Sequence, residues 1–129
     1  MFERIVVGVS KAQSAAEAAR RAIGIAQKFN SELHFVIAFE GSDTSPQSAS
    51  RRHAEGTVES IAAWHSGKTF TYAVPDDPAT VILRVAGDVG ADLIVVGNKG
   101  MRGAGRVLGS VPNSIAHKAP CSVLIVSTT

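Results

Sequence analysis

The sequence predicts an α/β fold, with one domain over residues 1–129 built on an open, five-stranded parallel sheet of Rossmann-like, three-layer α/β/α architecture. Three observations predict it. Five short apolar runs alternate with four segments whose apolar residues recur at helical spacing. The first run, Arg4–Val9, is apolar at successive positions, which is typical of a strand covered by helices on both faces. Parallel neighbours also need long crossover connections, and the helical segments provide them.

The first half of the chain predicts two strands and two helices. Arg4–Val9 ("RIVVGV") is a β-branched run and predicts the first strand. Small apolar residues at helical spacing predict a helix from Lys11 to Phe29, followed by a strand at Glu32–Phe39. The next helix is expected to have Ser45 as N-cap, since Pro46 suits a first helical position, and to end before a left-handed Gly67.

The second half predicts three more strands and two more helices. Asp77 before Pro78 indicates the start of the third helix. A short fourth helix is expected over Val111–His117. The three strands are predicted at Thr69–Val74, Asp92–Val96 and Ser122–Ser127.

Composition excludes several functional classes. With 129 residues, 45% hydrophobic and 19% charged, the chain is typical of a globular domain, and a net charge of +2 gives no general nucleic-acid surface. Cys121 is the only cysteine, which excludes an intramolecular disulfide framework and suits the cytoplasm. The apolar run near the N-terminus is too short for a signal peptide or a membrane span. The four histidines have no metal-binding spacing and no acidic partner evident nearby in the sequence.

A glycine-rich, cationic segment follows the fourth predicted strand. In open α/β sheets, ligands bind at the carboxyl ends of the strands, and glycines let backbone N–H groups approach an anion. The helix that follows adds N–H donors and partial positive charge. A phosphate site and a surface turn with solvated cations both stay open from this pattern, while the P-loop and dinucleotide motifs fail on residues. The cations are Lys99, Arg102 and Arg106, and the glycines are Gly97, Gly100, Gly103, Gly105 and Gly109.

The segment "DLIVVGNKGMRGAGRVLGSVPNSIAHKAPCSVLIV" resembles the C-terminal part of universal stress protein domains. These carry Gly-x-x-Gly, a spacer, and Gly-Ser or Gly-Thr before a final apolar strand. The resemblance implies a five-stranded parallel α/β fold, binding of ATP or cyclic AMP, and a homodimer formed through the strand Ser122–Ser127. Whether Mg²⁺ accompanies ATP stays open.

The resemblance also implies roles for individual residues. The first pair of the motif is Gly97 and Gly100, and the closing pair is Gly109 and Ser110. Their backbone groups and the Ser110 hydroxyl would contact phosphates, with a valine flanking each pair and Arg106 adding charge. The backbone of Phe39 would meet the base, and Ser10 occupies a position where the family commonly has a nucleoside-binding Asp. The residues implied are Ser10, Phe39, Val96, Gly97, Gly100, Arg106, Gly109, Ser110 and Val111.

Two departures from the family pattern predict weaker binding. Eight residues separate Gly100 from Gly109, one fewer than usual. Ser10 lacks the carboxylate, and with Gln13 it also fits a capping box, an interpretation that we favour for it. We therefore expect a dissociation constant nearer ~100 µM than ~1 µM, a difference of about 2.7 kcal/mol.

Catalysis is less favoured than binding. Phosphoryl transfer requires metal-binding carboxylates or a positioned base, and the segment from Gly97 to Ser110 contains neither. The sequence therefore favours a nucleotide-responsive regulatory protein of the stress response. A dimeric scaffold that binds no nucleotide and a slow ATPase are the alternatives.

Overall fold

The computed structural model describes residues 1–10, 15–41, 45–99 and 108–128. Within them, strands and helices alternate along the chain, and all the strands pair in parallel in the order β3-β2-β1-β4-β5. The predicted fold class is confirmed. The elements are β1 (Arg4–Val9), α1 (Ala15–Phe29), β2 (Glu32–Ala38), α2 (Ala49–Ala62), β3 (Thr69–Val74), α3 (Pro78–Val89), β4 (Leu93–Asn98), α4 (Ser110–Lys118) and β5 (Ser122–Ser127).

Two hydrophobic cores form because successive strand residues point to opposite faces of the sheet. Ile5 and Val7 of β1 pack with α1 and α2 on one face. Val6, between them, packs with α3 and α4 on the other. This arrangement explains why the central strands β1 and β4 are apolar at successive positions: helices cover both of their faces.

The helix α2 begins later than the sequence predicted. Its N-cap is Ser48, whose hydroxyl accepts a hydrogen bond from the Arg51 N–H at 3.1 Å. Ser45 instead accepts through its carbonyl from the Ser48 N–H, and so belongs to the preceding turn. The expected left-handed Gly67 is also wrong, since α2 ends at Ala62 and its C-cap, Ala63, is right-handed.

The start of α3 agrees with the prediction, whereas both ends of β4 differ from it. Asp77 is the N-cap of α3, as predicted, and accepts from the Thr80 N–H at 3.1 Å. The strand β4 starts after Asp92, whose carboxylate instead accepts the N–H groups of Glu3 and Arg4 at 2.8 and 3.1 Å. It continues to Asn98, two residues further than predicted, so the start of the glycine-rich segment lies in the sheet.

Candidate functional site

A cleft of about 200 Å³ lies at the carboxyl ends of β1 and β4. The strand order reverses between these neighbours, because β1 leads to β2 on one side and β4 leads to β5 on the other. Open parallel sheets bind ligands at such a point. The cleft is lined by Gly8, Val9, Ser10, Pro78, Ile82, Val96, Gly97, Lys99, Val111 and Thr128.

Gly8 of β1 lies at the base of the cleft, where there is no space for a side chain. A Cβ atom on this residue would lie 2.7 Å from Cδ1 of Ile82 and 3.1 Å from Cγ1 of Val96, both closer than carbon atoms normally pack. The glycine therefore lets α3 pack tightly against the sheet beneath the ligand space. The sequence analysis did not assign this glycine to the site.

Five sequence-predicted residues line the cleft. Ser10 is exposed at the end of β1, Val96 is buried in the floor, and Gly97 and Val111 contribute to the rim. The cation Lys99 is also at the rim. Gly97 has a packing role besides the implied one, since a Cβ there would lie 2.8 Å from Cγ2 of Thr128. Of the other predicted cleft residues, Gly100 and Arg106 lie outside the described residues, as does Gln13 of the proposed capping box.

The N-terminus of α4 stands beside this rim. Gly109 is its N-cap, and Ser110 begins the helix with its side chain exposed. The Gly109 N–H donates to Oδ1 of Asn98 at 2.7 Å, which ties the start of α4 to the end of β4. The sequence analysis did not include Asn98 in the site. An amide side chain next to a buried strand is a possible signal, because buried polar groups normally have a hydrogen-bond partner.

Phe39 does not line the cleft but borders a neighbouring cavity. Its ring is 3% exposed and packs beneath the Arg51 guanidinium, 5.1 Å from the ring centre. Its N–H donates to the Val74 carbonyl at 3.0 Å, so this N–H is not available to a ligand. It borders a cavity of about 330 Å³, which Pro78 shares with the cleft and which Ala38, Glu40 and Asp76 also line.

The two adjoining spaces differ in charge. Glu40 and Asp76 border the cavity beside Phe39, whereas Lys99 borders the cleft. Hydrogen bonds from the Asp77 N–H and then from Arg84 lower the pKa of the Asp76 carboxyl, so it is ionised at neutral pH. A ligand with hydrogen-bond donors at one end and a negative charge at the other matches this polarity.

Two further observations concern the parts of the chain that the structure describes. Within them, no three histidine, cysteine, aspartate or glutamate side chains are grouped as a metal site would require. None of the helices there has the length and apolar character needed to cross a bilayer.

Comparisons with known proteins agree on one family. Residues 1–127 match the model of the universal stress protein family. Universal stress protein Rv1636 of Mycobacterium tuberculosis is 30% identical, over 99% of this chain and 98% of the relative. Universal stress protein MJ0531 of Methanocaldococcus jannaschii is 29% identical, over 98% of this chain and 82% of the relative.

Solved structures give the same fold. A universal stress protein crystallised in complex with cyclic AMP superposes with a TM-score of 0.80 at 28% identity, covering 99% of both chains. Universal stress protein UspA from Lactobacillus plantarum has a TM-score of 0.79 at 24% identity over 97% of both chains, a likeness that concerns the fold alone.

Proposed function

Because the chain belongs to the universal stress protein family, we propose that it is a single-domain, adenine-nucleotide-binding regulatory protein of the cytoplasmic stress response. The observation that carries this proposal is the cleft where β1 and β4 diverge, with the N-terminus of α4 at its rim. A helix N-terminus stabilises an anion through its unpaired N–H groups and its dipole.

The polarity of the site gives the nucleotide an orientation. The phosphate lies against the start of α4, near Ser110, Val111 and Lys99. The adenine lies across Pro78, where the Phe39 carbonyl and the carboxylates of the neighbouring cavity accept hydrogen bonds from its amino group. Ser10, at the end of β1, supplies a neutral hydroxyl beneath the ribose.

The complex of a relative with cyclic AMP supports the ligand class. That protein is 28% identical to this chain along almost its full length. ATP and cyclic AMP share the adenosine and the first phosphate group, which are the parts that we assign to this cleft and its adjoining cavity. Both nucleotides therefore stay candidates.

A homodimer through β5 is part of the proposal. This strand forms one edge of the sheet, and its Leu124 residue is 37% exposed. An open strand edge with an apolar side chain favours pairing with a second chain.

The nucleotide site and this edge are adjacent. Thr128, which lines the cleft, follows β5 directly, and its N–H donates to the Asn98 carbonyl at 3.2 Å. When a nucleotide binds one conformation of this contact between β4 and the end of β5 more tightly than another, it increases the population of that conformation at the edge strand. The surface offered to a second chain then depends on the nucleotide.

Calorimetry with freshly purified protein tests the proposal. Bound ligand is first released and identified by absorbance and mass, and the protein is then titrated with ATP, ADP, AMP and cyclic AMP. We expect binding of at least one of them at about 100 µM, since Ser10 replaces a carboxylate. If none binds at millimolar concentration, the chain is a scaffold without a nucleotide site; if ATP is consumed, the slow ATPase is favoured.

A further inference from the structure

Asn98 is a buried polar residue between the two elements that form the rim of the cleft. It is the last residue of β4 and only 4% exposed. Its Oδ1 accepts from the Gly109 N–H at 2.7 Å across eleven residues of chain, and its carbonyl accepts from the Thr128 N–H. One residue thus joins the ends of β4 and β5 to the start of α4.

The approach of Asn98 to Gly109 leaves little room for a side chain at position 109. A Cβ atom on Gly109 would lie 3.0 Å from Oδ1 of Asn98 and 3.5 Å from Cδ of Pro112. The backbone of Gly109 is extended, with φ −63° and ψ 163°, so its left-handed freedom is not used. The glycine therefore lets Asn98 make this hydrogen bond without a shift of its side chain.

This hydrogen bond also determines which donors α4 offers to an anion. The first N–H groups of a helix have no acceptor within the helix. Here the Gly109 N–H is taken by Asn98, Pro112 has none, and the Asn113 N–H donates to the Gly109 carbonyl at 2.9 Å. Among the residues that the structure describes, the N–H groups of Ser110 and Val111 and the Ser110 hydroxyl are the donors of this turn that have no acceptor.

We propose that Asn98 is the positioning residue of the phosphate subsite: by binding the Gly109 N–H, it fixes the Ser110 and Val111 N–H groups toward one phosphate group of the nucleotide. This inference rests on the proposed function and extends it to a residue that need not touch the ligand. An amide suits the position because it accepts the hydrogen bond without bringing a negative charge near the phosphate.

Two variants separate positioning from charge. Asn98→Ala removes the acceptor, whereas Asn98→Asp keeps an acceptor and adds a carboxylate. Cyclic AMP and adenosine are the probes, because cyclic AMP carries one negatively charged phosphate group and adenosine has none. Asn113→Asp, which makes the same chemical change at an exposed position in the first turn of α4, is the matched control.

We expect both Asn98 variants to lose about tenfold in cyclic AMP affinity at pH 8 and to keep adenosine affinity within about twofold. Asn98→Asp keeps the Gly109 N–H hydrogen-bonded and loses affinity through the carboxylate placed near the phosphate, whereas Asn98→Ala loses the hydrogen bond itself. Asn113→Asp stays within about threefold of wild type.

NMR titration reports both ligands and checks the fold of each variant, and the Gly109 amide signal reports the hydrogen bond itself. Wild-type affinity for cyclic AMP in both Asn98 variants, or an equal loss for adenosine, overturns the positioning role while leaving the proposed function intact. A wild-type chain that binds neither probe overturns both.

Discussion

The packing beneath the cleft gives a quantitative prediction from one pair of residues. In Gly8→Ala, the added methyl group lies 2.7 Å from Cδ1 of Ile82, a buried side chain that is 5% exposed. Overpacking of this kind costs about 1–3 kcal/mol. In Ile82→Val, the same Cδ1 atom is removed, which costs about 0.5–1.5 kcal/mol. If the two sites were independent, the double variant would lose about 3 kcal/mol of unfolding free energy.

We expect the double variant to lose only about 1 kcal/mol, because the methyl added at Gly8 occupies the volume vacated at Ile82. The coupling between the two substitutions is then about 2 kcal/mol in favour of folding. Urea denaturation followed by circular dichroism measures all four proteins under one condition. Additive losses within about 0.5 kcal/mol would refute the packing on which the floor of the cleft depends.

Three other predictions concern the remaining parts of the fold. Asp77→Ala should lower the unfolding free energy by about 1 kcal/mol in urea titration, with Asp77→Asn near wild type because it keeps the N-cap acceptor; an equal loss in both would contradict the capping role. A hydrogen bond from His34 lowers the pKa of Glu32, so its stabilisation is present above about pH 4.5 and lost as the pH falls through the folded value. The unfolding free energy of wild type, measured by urea titration, should therefore fall more steeply than that of Glu32→Gln between pH 5 and pH 3. Parallel pH profiles of the two proteins would contradict this. Leu124→Lys should shift sedimentation from dimer to monomer, whereas an unchanged dimer would place the interface elsewhere.

Much of the fold was predictable because short runs rich in apolar and β-branched residues alternate with segments of helical spacing. β1, β3 and β5 begin and end at the predicted residues, since their apolar runs are bounded by polar residues. The N-cap of α2 was not, because Ser45 and Ser48 are chemically equal candidates and the choice depends on tertiary contacts. Ser48 is 5% exposed in the folded chain, which the local sequence does not reveal.

The residues of the candidate site were predictable only in part, because some of them depend on contacts between distant parts of the chain. The resemblance pointed to Gly97, Ser110 and Val111, but Asn98 acts through a partner eleven residues away, and that distance closes only in the folded chain.

A second polar contact was missed although its signal was local. His34 is buried, its Nε2 lies 2.9 Å from Oε1 of Glu32, and its Nδ1 lies 2.8 Å from the Tyr72 hydroxyl. The interpretation that the histidines have no acidic partner nearby was therefore wrong. Residues two apart on a strand share a face, so the pairing of Glu32 with His34 followed from the predicted strand.

Chemical-shift mapping with cyclic AMP tests most directly whether the nucleotide binds where β1 and β4 diverge. Backbone amide signals are followed in wild-type protein through a titration to millimolar ligand. The proposed site predicts that the largest shifts fall on Ser110 and Val111, with smaller ones at Gly97 and Ser10. Saturable shifts confined to other residues would contradict the site, and the absence of any shift would contradict nucleotide binding itself.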